Sequence, residues 1–186
     1  MPGDLLPHLL ALLEEGREGA CVILSGGIGA GKTRAAERLA FDLEARGFTV
    51  AGVLSRRILR DQKTVGYTIR DLSTGKEHPF ARLEPPGVAV GKFFVDEAGL
   101  AAARDAIARG AKTAEAVFVD EVGRLELNGG GLAPAVRMVL ESTALSVLLV
   151  RSEFVDPVVK AFSIRRATVI PVEEEARPIE HRGELG

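Results

Sequence analysis

Tryptophan is absent from this chain of 186 residues, and cysteine and tyrosine occur once each, as Cys21 and Tyr67. A single thiol can neither close a disulfide nor build a cysteine-rich metal site within one chain, so the fold must rest on an ordinary apolar core, and a reducing compartment, the cytoplasm, fits. The three histidines, His8, His78 and His181, lack the spacing of metal ligands and are expected to be satisfied or solvent-facing. Asparagine and glutamine also occur once each, against eighteen arginines and six lysines. Such scarcity of thermolabile amides fits a heat-adapted source, and a GC-rich genome equally well. No apolar run is long enough to span a membrane. The short stretch Leu9 to Leu13 follows Asp4 where a signal peptide would carry a basic segment, so it does not read as one. A strong excess of one charge is missing too: a net charge of -2 and a pI near 6.0 offer no overall basic surface to draw nucleic acid or anionic lipid. Nothing specifies a protein partner.

What remains is 46% apolar and 27% charged, the composition of a soluble globular protein, and the length suits one α/β domain over residues 1–186. The most informative segment is Gly26 to Thr33, GGIGAGKT, directly after the apolar run Cys21 to Leu24. Glycines let such a loop curl so that backbone N–H groups point inward at an anion, and the helix opening at Lys32 adds its positive end to the same spot. The segment fits the phosphate-binding pattern of Gly, four residues, Gly, Lys and then Ser or Thr. Gly26, Gly27, Ile28, Gly29, Ala30, Gly31, Lys32, Thr33 and Arg34 form the expected nucleotide-binding set. Lys32 is expected to reach the β- and γ-phosphates, and the Thr33 hydroxyl to ligate the Mg²⁺ that bridges them.

The rest of the chain alternates strand and helix. A helix over 4–15 carries Leu5, Leu9, Leu12 and Leu13 on one side; strand 20–25, the loop and a helix over 32–46 ending at Gly47 open a βαβ unit. A strand over 48–55 is followed by a small β-hairpin insert, about 56–81, from Val65 to Leu72, a turn at Ser73-Thr74-Gly75, and Glu77 to Ala81. A brief strand from Lys92 to Val95, an Ala-rich helix from Glu97 to Gly110, a strand from Ala116, a helix over 132–142, a strand from Leu145 to Val150, a helix around Pro157 to Phe162 and a strand from Ala167 to Val172 complete the order. The tail after Glu173 is charged and expected to fray. The fold class is α/β, a P-loop NTPase with helices flanking a parallel sheet.

Ala116 to Glu121 is an apolar strand capped by two carboxylates, the pattern of a buried parallel strand emerging at a ligand site. Asp120 is expected to hold Mg²⁺ opposite Thr33, and Glu121 to activate a water in line with the γ-phosphate. Strand alternation places these neighbours on opposite sides. Lys32 and Glu121 are therefore the catalytic candidates, and Thr33 and Asp120 the metal candidates. Among the arginines, Arg56, Arg57 and Arg60 cluster after the second strand, while Arg124 and Arg151 have the better claim to a developing charge because strand ends face the ligand crevice. Tyr67 and the pair Phe93-Phe94 are expected in the core.

GGIGAGKT, the stretch GVLSRRILRDQKTVGYTIRDLSTGKEHPFAR, the short VGKFFVD and the run VFVDEVGRLEL together resemble the THEP1 nucleoside-triphosphatase family over about residues 20–165. Arg124 stands where that family's run has Lys, the leading helix is additional, and Arg151 to Lys160 departs from the family pattern. The resemblance implies a RecA/ABC-like strand order and slow Mg²⁺-dependent hydrolysis of several nucleoside triphosphates with broad base preference. It also implies phosphate and metal contacts at Lys32 and Thr33 and an acidic pair at Asp120 and Glu121. A kinase of a nucleotide or other small molecule, or a nucleotide-dependent switch, uses the same loop and acid. No Asn-Lys-x-Asp motif occurs, so strict GTP specificity is not expected.

Overall fold

A computed structural model describes residues 5–15 and 20–172; the charged tail from Glu173, including His181, lies outside the described residues. Four near-continuous apolar runs decide the architecture. Strands β1 (Ala20–Ser25), β7 (Ala116–Val122) and β8 (Leu145–Val150), with the first half of β2 (Val50–Arg60), are buried on both faces, as strands between helix layers must be. β1 pairs in parallel with β8 and with β9 (Arg166–Pro171), β8 with β7, and β7 with β2. Alternation sends Val22, Leu24 and Phe118 toward helices α1 (Leu5–Glu15) and α2 (Lys32–Glu44). Cys21, Ile23, Val117 and Val119 go to the other face, against α3 (Glu97–Thr113), α5 (Ala133–Leu140) and α6 (Val155–Ala161). Burial pushes the Cys21 thiol up to about 12, so it behaves as a small apolar side chain. Among the described residues no helix is long and apolar enough to cross a membrane.

The expected parallel α/β sheet flanked by helices is present, and it is larger than the sequence suggested. With β3 (Lys63–Asp71), β4 (Glu77–Arg82), β5 (Val88–Val90) and β6 (Phe93–Val95), the nine strands among the described residues run in the order β5-β6-β4-β3-β2-β7-β8-β1-β9, the first four being antiparallel additions to a parallel half. The strand expected over 48–55 continues to Arg60 and turns at Asp61-Gln62 into β3. Both turn residues have positive φ, 49° and 61°, the twist that joins two strands through a two-residue loop. The hairpin therefore begins a strand earlier than expected, and β4, β5 and β6 extend the same sheet. The extension is fastened to the layer behind it: Arg109 of α3 donates to Asp71 at 2.8 Å, and Asp96 caps α3 through Gly99 N while pairing with Arg82 at 2.7 Å.

Other departures are local. β5, the single turn of helix α4 (Arg124–Leu127) and a 3₁₀ turn at Ser152–Phe154 were not expected. Contrary to expectation, His8 is neither satisfied at Nε2 nor turned to solvent there: that atom is buried on α1 with no hydrogen-bond partner among the described residues. Gly47 does end α2, at φ 88°, with Phe48 N bonding back to Leu43 O.

Gly52 sets how closely β2 can approach β7. It faces Phe118 across the parallel ladder at φ 105°, and a Cβ there would collide with the Phe118 carbonyl oxygen. Gly52→Ala should lower stability by about 3 kcal/mol or more, from backbone strain and strand separation together. A denaturant midpoint equal to that of the wild type would show that the two strands can spread without cost.

Candidate active site

The loop after β1 takes its shape from glycine. Gly29 and Gly31 sit at φ 85° and 87°, and Ala30 N bonds to Gly27 O at 3.3 Å, closing the curl. Gly31 begins α2 with no side-chain cap, so the first-turn N–H groups keep their donors for an anion. Lys32 leans back across the loop, its Nζ donating to Gly26 O at 2.8 Å and Gly27 O at 2.9 Å. Partial burial holds the ammonium below the ordinary lysine value, against the opposing pull of Asp120 and Glu121 and with a push from Arg151.

Asp120 is the most constrained group in the site. It is 3% exposed, yet both carboxylate oxygens are satisfied. Thr33 Oγ1 donates to its Oδ2 at 2.8 Å, Ser55 N to the same oxygen at 3.0 Å, and Glu121 N to Oδ1 at 2.8 Å. Burial first, and the Glu121 charge second, push its carboxyl up to about 7. Beside it the Ser55 hydroxyl is buried with no hydrogen-bond partner among the described residues.

Glu121 is not on the opposite side of the sheet from Asp120, as strand alternation implied. Its φ is 61° and the β7–β8 register slips between Val119 and Val122, so a bulge turns it and Asp120 into the same cavity. Sequence reasoning also passed over Glu126. It is buried, accepts from Gly123 N at 2.9 Å and Leu132 N at 3.0 Å, and burial raises its carboxyl above the usual range. This carboxylate braces the segment that follows the acidic pair. The available signal was a Glu three residues after a helix-starting Gly.

The cavity has a volume of about 780 Å³ and spans the C-terminal ends of the parallel strands and part of the extension. Ile28, Gly29, Gly31, Lys32, Thr33 and Arg34 of the expected set line it. Gly26 lies buried behind them, against Val172 O. Arg124 and Arg151 line it too, Arg124 with its guanidinium 5.8 Å from the Phe154 ring. The cluster expected after the second strand lies within β2 and divides: Arg56 is held by Glu37 at 2.7 Å and Glu77 at 2.8 Å, while Arg57 faces the cavity with no ion pair among the described residues. Arg60, at the hairpin tip, does not reach it. Tyr67 and Phe93, expected in the core, are half-buried; they pack against it and form cavity wall as well, their rings 5.2 Å apart and edge to face.

A family model described as NTPase matches residues 21–181. The nucleoside-triphosphatase THEP1 of Methanopyrus kandleri is 32% identical over 149 residues, 80% of this chain and 83% of that protein. THEP1 of Thermococcus kodakarensis is 33% identical over 141 residues, 73% and 78% of the two chains. Among solved structures, a human cancer-related nucleoside triphosphatase superposes with a TM-score of 0.67 at 23% identity, covering 84% of this chain and 90% of that one. THEP1 from Aquifex aeolicus gives 0.63 at 21%, covering 86% and 93%. By the family model over most of its length and by relatives more than 30% identical, the chain belongs to the THEP1 nucleoside-triphosphatase family of NTPases.

Proposed function

We propose that this chain, acting as one catalytic domain in the cytoplasm, is a Mg²⁺-dependent phosphohydrolase that converts nucleoside triphosphates to diphosphate and phosphate without strict base preference. The observation that carries this reading is the 2.8 Å bond between Thr33 and Asp120, with Glu121 turned into the same cavity. Three oxygen groups meet there, the Thr33 hydroxyl, the Asp120 carboxylate and the Ser55 hydroxyl. A hard cation takes such oxygen donors, and Mg²⁺ is bound through one or two carboxylates plus substrate phosphates, so the set fits. Among the described residues no three His, Cys, Asp or Glu side chains gather to cage an ion unaided. When bound, the ion neutralises charge on the β- and γ-phosphate oxygens.

The remaining roles follow from charge and position. The α2 N-terminus and the loop N–H groups cradle the phosphates, and Lys32 swings from its loop carbonyls onto the β- and γ-phosphate oxygens. Glu121 orients a water on the far side of the γ-phosphorus and accepts its proton as the water oxygen bonds to phosphorus. The bond to the β–γ bridging oxygen breaks, and the diphosphate leaves with the electron pair. Arg151 and Arg124 face the cavity where charge accumulates on the transferring group.

Lys32→Ala should reduce turnover by about 10² or more, since catalysis of this kind is mostly positioning and electrostatics. Near-wild-type phosphate release would remove the loop from the reaction. Glu121→Gln keeps size and hydrogen-bonding reach, so fluorescent-nucleotide binding should survive while single-turnover hydrolysis falls by a factor on the order of 10². Asp120→Asn should instead weaken Mg²⁺-dependent binding itself. Equal behaviour of these two variants would contradict the division of labour.

Stability should also depend on pH. In the metal-free protein Asp120 keeps its proton up to about 7, whereas the unfolded chain releases it near 3.8, so the folded state binds more protons between those values. Stability therefore falls as pH rises through that window, and Glu126 shifts in the same direction. Thermal midpoints measured in chelator should decline from pH 5 to 8, with a shallower decline in Asp120→Asn. A wild-type midpoint that climbs over this range would be incompatible with a buried, proton-retaining Asp120.

A further inference from the structure

In-line transfer separates the two ends of the cavity. The leaving diphosphate and its nucleoside lie on one side of the γ-phosphorus, and the nucleophile on the other, beside Glu121. The cavity continues past Glu121 onto the antiparallel extension, where Tyr67, Phe80, Val90 and Phe93 form its wall. Tyr67 sits two strands and Phe93 four strands from β7 in the sheet order, which at roughly 4.8 Å per strand is about 10 to 19 Å from the metal-binding acid. A water nucleophile occupies about 30 Å³ and has no use for an aromatic wall of that extent. The charges there are also unspent. Arg57, the cross-strand partner of Tyr67, and Lys92, 5.1 Å from the centre of the Phe93 ring, make no ion pair among the described residues. Burial first, and the Glu121 charge second, hold the Tyr67 hydroxyl above the ordinary tyrosine value against the opposing charges of Arg57 and Arg151.

We infer that this far half of the cavity is a second-substrate site for a small planar anion, its ring against Tyr67 and Phe93 and its charge on Arg57 and Lys92, placed to receive the γ-phosphoryl group in place of water. The inference rests on the nucleoside-triphosphate reading above. In the transfer step an oxygen of the bound molecule bonds to the γ-phosphorus. The bond to the β–γ bridging oxygen breaks, the diphosphate keeps the electron pair, and a proton on the acceptor oxygen, where there is one, passes to Glu121. Aromatic rings stacked or edge-on add to the burial of a planar body, and a desolvated anion selects guanidinium and ammonium donors. Two kinds of molecule share this chemistry, nucleoside monophosphates and aromatic hydroxy acids.

Full-length protein with Mg²⁺ and γ-labelled ATP separates them, one arm supplied with AMP, GMP, CMP and UMP, the other with 4-hydroxybenzoate. Label should move onto a member of one arm. Lys92→Ala and Phe93→Ala should each reduce that transfer by about tenfold while leaving phosphate release to water unchanged. Lys92 is exposed, so its variant stays informative if Phe93→Ala does not fold. Label confined to free phosphate in both arms, with no compound altering the hydrolysis rate, overturns the second site and leaves the hydrolase reading intact. Transfer that neither substitution weakens overturns the location. Absence of both hydrolysis and transfer in the wild type sinks the nucleotide reading, and this inference with it.

Discussion

Asp120 is a carboxylate taken out of water, and three separate elements must hold it there. Its partners are Thr33 from the first turn of α2, the backbone of Ser55 on β2, and the amide of Glu121 on its own strand. Removing a carboxylate from water is expensive unless its lone pairs are met, and here each donor comes from a part of the chain whose position matters for phosphate chemistry. The same bonds that make the burial tolerable register the phosphate loop against β7 and β2. Burial nevertheless pushes the carboxyl above the ordinary carboxylate range, and a positive charge beside it would favour its ionised form.

Glu121 shows how a backbone irregularity creates function. A regular strand would have sent it to the α3 face of the sheet, away from Asp120. The bulge at φ 61° turns it into the cavity, and Glu126 holds the segment beyond the bulge with two backbone hydrogen bonds. Strained or left-handed residues persist only where the surroundings over-determine them. Buried Val122 and the Glu126-braced turn supply that constraint. Two adjacent carboxylates thereby occupy one site with different burial and different roles.

The antiparallel extension gives the sheet a second character. Its strands add no parallel crossover; they lengthen the sheet beyond β2 and roof the cavity with an aromatic pair. Arg109–Asp71 and Arg82–Asp96 tie it to α3. The glycine-rich loop after β1 and an aromatic, cationic wall thus line one cavity on one continuous sheet.

Much of the parallel half was legible from residue pattern. The runs at β1, β7 and β8 are largely apolar because both faces are buried, and GGIGAGKT after the first with Asp-Glu near the end of the second marked where a site would be sought. The chain beyond Ser55 was less legible. From Arg56 to Arg60 β2 is exposed, so neither alternation nor an apolar run marks it as strand, and only the Asp61-Gln62 turn discloses the pairing. The sequence by itself determined where the glycine-rich loop, the strand-end Asp120 and its neighbour Glu121 fall in the alternation of strand and helix, because that depends on local spacing and hydrophobicity. The tertiary structure alone decided that Glu121 turns toward Asp120, that Arg56 is ion-paired while Arg57 has no ion pair among the described residues, and that Tyr67 meets Phe93. Each of these depends on a register slip, a long-range ion pair or a contact across an intervening strand, and such relations arise only when distant segments pack.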